Sequence, residues 1–373
     1  EDGIRHSSTS RGLGDVYKRQ CPATTKAAKP AKGCPMSNDM IPLDVVAPQE
    51  GQIRQLADDL FWFRFTLPFR LDHINLFALE TAEVWLLFDC GINAESNAKQ
   101  WPAILAQLQA KKPIIGIIIS HHHADHVGYA GALACITDAP IFMGAREYEE
   151  TSLLLNYSDK EAAEIGGGAY ANFGLGDIGA GRRSDRGNHF RTLVGDLPDV
   201  QIVQPGHSFQ TTAGVWEVRF DSGHSPGHMS LMDHARHLYI GVDFLLPRIS
   251  PNISVALRDP DRDVLADYFA YLGEMCTLDD DWLIIPGHDW PFFGGAPRAR
   301  QLITHHEHRL GQLLDAGVTL TTNDAMALLF PFELNEHELY FASCEARAHL
   351  NHLVTRAKMA RTTNDGIALF STT

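Results

Sequence analysis

The chain has 373 residues, 45% of them hydrophobic and 21% charged, with a formal net charge of −15. That length suggests about two domains, or one large one with an appendage, at roughly 100–200 residues each. The acidic balance argues against broad nucleic-acid binding, no apolar run reaches the ~18–20 residues of a membrane span, and six Cys without a C-x-x-C pair exclude a Cys-rich zinc ribbon and a disulfide-stapled scaffold.

Residues 1–35 are Ser-, Arg-, Lys- and Ala-rich, with seven Lys/Arg against three acids, which leaves the remainder at −19. They lack the apolar core of a secretory signal. We expect a disordered, non-native leader there, with the natural start at Met36 or Met40, a first folded domain over 36–300 and a second over 301–373. From Ile53 to Asp89 the pattern is strand-like. Phe61, Phe63, Phe65 and Leu67 alternate with Trp62, Arg64 and Thr66, and Val84–Phe88 runs into Asp89-Cys90-Gly91. Over 97–110, Trp101, Ile104, Leu105 and Leu108 share one helical face. Ile114–Ile119 is short and mostly β-branched, the mark of a buried central strand.

Pro140–Met143 reads as a strand and Ala145 to about Ser158 as a helix. Residues 165–197 are Gly-rich and read as an irregular lid or substrate loop. This loop carries Tyr170, Phe173, Arg182, Arg183, Arg186, His189, Phe190 and Arg191. Strands return at 201–204, 215–220 and 238–243, followed by a helix over 262–276 and the strand Trp282–Ile285. Such alternation fits sheets covered by helices. Helices are predicted from Pro297 to Ala316, from Asp324 to Phe330 with Asn323 as cap, and from Ala342 to Ala357. A hairpin turns at Asn364-Asp365-Gly366. Helices followed by a two-stranded wing make a winged-helix module.

Nineteen His are the unusual part of the composition, and four of them fall in His121-His122-His123-Ala124-Asp125-His126, directly after the central strand. His121 and His123, two residues apart past a strand end, can face one ion, and Asp125 and His126 then turn towards an adjacent position. Imidazole with carboxylate suits Zn²⁺ or Fe²⁺. His122 is expected to point away, and Cys90 to be a buried, inert thiol.

This H-x-H-x-D-H pattern resembles the metallo-β-lactamase-fold hydrolase superfamily. Gly223-His224-Ser225-Pro226-Gly227-His228, Asp243 after Leu238–Val242, and Pro286-Gly287-His288 are similar to that superfamily's later landmarks, and Asp89 to its supporting acid. The resemblance implies an α+β fold, a four-layer αβ/βα sandwich with the C-terminal winged helix. It implies His121, His123 and His224 on one metal, Asp125, His126 and His288 on the other, and Asp243 between them. Two Zn²⁺ per chain are expected, with Fe²⁺ or Mn²⁺ as alternatives. Asp89 supports the metal loop, while Asp125 and His228 are the catalytic candidates.

The branch implied is close to the glyoxalase II group. His123 stands where di-iron redox relatives carry Glu, and Asp243 is generally lacking in true zinc β-lactamases. The stretch after His288 is aromatic (Trp290, Phe292, Phe293), which favours a less polar substrate. Arg298, Tyr170 and Phe173 are the candidate substrate contacts. The reading is a binuclear zinc hydrolase whose bridging hydroxide attacks an ester, thioester or lactone carbonyl of a small acyl substrate. We expect it to be cytoplasmic, without nucleic-acid or membrane partners, with homodimerisation open. The alternatives are a phosphodiesterase or ribonuclease of the same fold, an iron-dependent sulfur dioxygenase, a β-lactamase, and a regulatory protein with a structural metal.

Overall fold

The computed structural model describes residues 40–68, 71–176 and 188–373. The leader over 1–35, Met36 and the arginines at 182, 183 and 186 lie outside the described residues.

Period-two patterning builds the first half. After β1 (Ile41–Pro42) come β2 (Arg54–Ala57), β3 (Leu60–Thr66), β4 (His73–Glu80) and β5 (Trp85–Phe88). Helix α1 (Glu95–Gln109) carries the chain back to β6 (Ile114–Ile119). Then follow α2 (Ala124–Val127), α3 (Ala130–Thr137), β7 (Ile141–Gly144), α4 (Ala145–Asn156), α5 (Asp159–Asn172), α6 (Phe190–Leu193) and β8 (Val200–Val203). Strands β2 to β8 form one sheet in sequence order, antiparallel from β2 to β5 and parallel from β5 to β8.

The second half supplies β9 (Ser208–Gln210), β10 (Val215–Asp221), β11 (His228–Asp233), β12 (Leu238–Val242), α7 (Val264–Met275), β13 (Leu283–Pro286) and β14 (Phe292–Phe293). The second sheet runs β1-β14-β13-β12-β11-β10-β9, with β12 and β13 parallel. The chain closes with α8 (Gly295–Asp315), α9 (Thr322–Leu329), α10 (Glu336–Thr355) and the antiparallel pair β15 (Met359–Asn364) and β16 (Ile367–Thr372).

Three cores give four layers. Trp62, Phe77, Phe88 and Ile118 of the first sheet pack against Trp216, Leu231, Ile240 and Ile285 of the second. The other face of the first sheet, through Phe63, Phe65, Leu87 and Ile117, buries Trp101, Ile104 and Leu108 of α1. The outer face of the second sheet, through Tyr239 and Ile284, is covered by α7, α8 and α10. The αβ/βα sandwich therefore follows from strands that are apolar on both faces.

Several expectations are corrected. Residues 165–172 are helical, because Ser158 and Glu161 close a capping box that starts α5 ahead of its glycines. The cap of α9 is Thr321, not Asn323, since Thr321 accepts from the Asp324 N–H and Asp324 reaches back. Helix α10 starts at Glu336, capped by Asn335. Helix α8 runs through residue 300, and Leu302, Leu313, Leu350 and Phe370 share a core with Tyr239 and Ile284. The C-terminal part is three helices and a hairpin seated on the sandwich.

Candidate metal centre

Five chain segments meet at one edge of the sandwich. Asp89 follows β5, His121 follows β6, Asp243 follows β12 and His288 follows β13, so all four sit just beyond the C-terminal ends of parallel strands. His224 enters from the β10–β11 connection. Donor atoms of His121, His123, His224 and Asp243 converge within 4.8 Å of one another, as do those of Asp125, His126 and His288. All seven expected ligands are therefore brought together.

Hydrogen bonds on the far side of four of the five rings set the tautomers. Ser120 Oγ donates to Asp89 Oδ2 (2.8 Å), which leaves the Ser120 oxygen to accept from His121 Nδ1 (2.9 Å). His126 Nδ1 donates to Asp89 (2.8 Å), His224 Nδ1 to the Asn252 carbonyl (2.8 Å) and His288 Nδ1 to the His73 carbonyl (2.8 Å). Each Nε2 then presents a lone pair inward. His121 Nε2 lies 3.3 Å from His224 Nε2 and 2.9 Å from His123 Nδ1. His288 Nε2 and His126 Nε2 each lie 3.4 Å from Asp243 Oδ2.

Facing lone pairs repel unless a cation lies among them, and donors on a tetrahedral Zn²⁺ are about 3.3 Å apart. His126 Nε2, His288 Nε2 and Asp243 Oδ1 are buried without a hydrogen-bond partner. The donor set fits two divalent cations. Burial and neighbouring imidazoles hold His121 and His123 well below the usual histidine range, so both offer neutral rings. Burial would also depress His126, but Asp243, Asp125 and Asp89 outweigh it and raise it. A metal ion bound there would take the place of the proton that those carboxylates attract.

The backbone is distorted here. Asp89, Val242 and Asp289 have φ of 61°, 45° and 68°, a left-handed conformation that costs a β-branched Val most. Each borders the ligand set, where strain tends to be retained for function. A Cβ on Gly287 would stand 2.5 Å from Asp243 Oδ1, so only glycine leaves the carboxylate its place.

Sequence reasoning missed four supporting residues: Ser120, His73, Asn252 and, above all, Glu147. Glu147 opens α4 and is buried. Its carboxylate accepts from His122 N (2.9 Å), His122 Nδ1 (2.8 Å), Ser225 Oγ (2.6 Å) and Gly227 N (2.6 Å). It thereby ties the His121–His126 loop to the loop that carries His224. His122 is turned to this acid. Cys90 is buried, its thiol donating to the His126 carbonyl and pushed up by burial.

Other expected contacts are corrected. His228 is fully buried at the start of β11, between the rings of His121 and Phe244 (centroids 4.8 and 4.6 Å). Burial holds it down at about 3, hence neutral. It backs a ligand and does not border the cavity beside the metals. Arg298 is buried, donating to the Leu246 and Ile249 carbonyls (2.7 and 2.8 Å), so it shapes the wall from behind. Tyr170 and Phe173 face the core, Phe173 under the Arg347 guanidinium. Phe292 and Phe293 pair with β1, and Trp290 lies beneath Arg248, so the aromatic stretch is structural.

Beside the metal ligands opens a cavity of about 470 Å³. His123, Asp125, His224, Asp243 and His288 border it, and Tyr340 and Phe341 of α10 also line it. A third cluster, His306, Glu345 and His349, is buried between α8 and α10. There Arg309 donates to Glu345 (2.6 Å) and His306 Nδ1 lies 3.1 Å from His349 Nε2, an internal tie between helices.

A family model described as "Metallo-beta-lactamase superfamily" matches residues 70–288, and one described as "Metallo-beta-lactamase-like, C-terminal domain" matches residues 310–373. The chain is 24% identical over 313 residues to "Probable metallo-hydrolase YqjP" of Bacillus subtilis (strain 168), covering 80% of this chain and 92% of that protein. Among solved structures, a beta-lactamase domain protein from Burkholderia ambifaria is 30% identical with a TM-score of 0.79, over 88% of this chain and 96% of that one. A metallo-beta-lactamase family protein from Thermus thermophilus is 21% identical, with a TM-score of 0.72 over 86% of this chain and 100% of that one, and shares the fold.

Proposed function

Because the chain belongs to the metallo-beta-lactamase superfamily and is a metallo-hydrolase, we propose that it uses two divalent ions, Zn²⁺ in the first instance, to hydrolyse a carboxylic ester, thioester or lactone. The observation that carries this reading is the convergence of seven ligand side chains, five of which (His123, Asp125, His224, Asp243 and His288) border an open cavity. Ions held by His121, His123 and His224, by Asp125, His126 and His288, and by Asp243 between them would activate water and polarise the acyl oxygen.

The chain's own groups do the rest. Asp125 is partly exposed at the cavity, with Oδ2 3.5 Å from His288 Nε2. Its second carboxylate oxygen can orient water and take up a proton. In the net reaction, the bond from acyl carbon to leaving oxygen or sulfur breaks and a bond to the water oxygen forms. One water proton then passes to the leaving group. Asp89 and the Asn252 and His73 carbonyls hold the rings still and Glu147 holds the loops that carry them, which keeps reorganisation low.

The test is a hydrolysis panel on zinc-loaded protein: an aryl ester, a lactone, an acyl-thioester, a phosphodiester and a chromogenic β-lactam, each with a chelated control. Chelator-sensitive turnover of any of the first three is expected. Turnover of the phosphodiester or β-lactam alone would overturn the reading. Asp125→Ala should keep the fold and lose nearly all turnover, and near-normal activity would sink the role given to Asp125.

A further inference from the structure

The cavity is more than an approach to the metals. Beyond the ligands its wall is mostly apolar, with the aliphatic Leu154 of α4, Ala163 of α5, Leu246, Ile249, Val255 and Leu257 among its residues. Among the described residues, the two arginines that line it are both paired. Arg258 is paired with the buried Glu150, and Arg262 lies 2.8 Å from Asp267. An anionic tail would have to compete with those carboxylates for the two guanidinium groups, whereas an apolar chain would displace water from aliphatic surface.

Resting on the acyl-hydrolase reading, we propose that this cavity receives the uncharged aliphatic tail of the substrate. The substrate class is then a linear-chain acyl ester or thioester, held by its acyl half, with the leaving group at the open side of the metal site. Its carbonyl sits beside Asp125 and His288, and the chain lies along the aliphatic residues of the wall. Selection among substrates is then by chain length, because each methylene that enters removes a further increment of apolar surface from water.

The test uses the full chain, zinc-loaded, with linear p-nitrophenyl esters from acetyl to dodecanoyl, kept below their aggregation limits. A buried methylene contributes about 0.8 kcal/mol, so kcat/KM should rise roughly fourfold per CH₂ and then level off where the cavity is filled. A flat or falling series would overturn the proposal. Ala163→Trp, which fills the cavity from α5, should lower the ratio of decanoyl to butanoyl kcat/KM at least tenfold. Leu257→Gln, on a partly exposed segment, should lower the same ratio and serves if the first variant fails to fold. An unchanged ratio in a folded variant would count against the channel.

Calorimetric titration with 1-alkanols from butanol to decanol separates the two readings. If no ester is cleaved but affinity climbs with alkanol length, the channel stands and the acyl-hydrolase reading falls. If affinity is independent of length, the channel falls whatever the turnover.

Discussion

Glu147 shows how much a single buried side chain can organise. It carries no substrate and touches no metal ligand's ring, yet four donors from two ligand loops end on its carboxylate. Burial alone would raise its pKa, but the hydrogen bonds and charge of His122, with those from Ser225 and Gly227, bring it from 4.5 down to about 2. A carboxyl depressed in the folded state stabilises the fold above its unfolded pKa, and that contribution is lost as pH falls towards 2. Thermal melts should therefore show a drop in Tm between pH 5 and about 2.5 that Glu147→Gln lacks. The same variant should weaken metal binding by roughly 10–100-fold, the usual size for outer-shell partners, as read by competition with a chelating dye. Unaltered affinity would show that the loops hold themselves. Gly287→Ala should cost metal binding more directly, because its methyl would press on Asp243. At this scale legibility follows distance along the chain. His121 to His126 can be read because the spacing is local. Glu147 could not be, because its partner Ser225 lies 78 residues away.

Among the elements, α5 is the one whose sequence argues against its structure. Gly166, Gly167 and Gly168 lie inside it, and each costs about 1 kcal/mol relative to Ala. The glycine run made a loop the natural reading. The overlooked signal was Ser158-Asp159-Lys160-Glu161, whose capping box satisfies the first turn on both sides. Nothing stands within 4 Å of a Cβ built on Gly167 or Gly168. Gly167→Ala should therefore raise stability by about 0.5–1 kcal/mol, a Tm gain of a few degrees at most for a chain this long. A loss would mean that the helix needs to open at that point. Strands β3 to β6 were legible because their apolar alternation and β-branched run depend only on which face is buried, whereas helix ends depend on caps one or two residues outside the periodic stretch.

Across the whole molecule, the ligands divide between the sheets. His121, His123, Asp125 and His126 follow β6 of the first, while His224, Asp243 and His288 belong to connections of the second. Metal binding therefore closes the sandwich at one edge, and its free energy adds to folding. Chelation should lower Tm, and titration with Zn²⁺ should restore it in proportion to the logarithm of free metal. A Tm indifferent to metal would refute this coupling. The layered architecture was legible from strand–helix alternation. The joining of the C-terminal helices to the sandwich core was not, because the contacts of Phe370 and Leu350 with the second sheet's cover have no local pattern. That joining places Tyr340 and Phe341 in the wall of the cavity that the metal ligands also border. The catalytic loops and this part of the wall are carried by stretches of chain more than fifty residues apart. Changes at the start of α10 can therefore retune which molecules fit while leaving the reactive centre alone, so new specificities can arise in this scaffold without reinventing its chemistry.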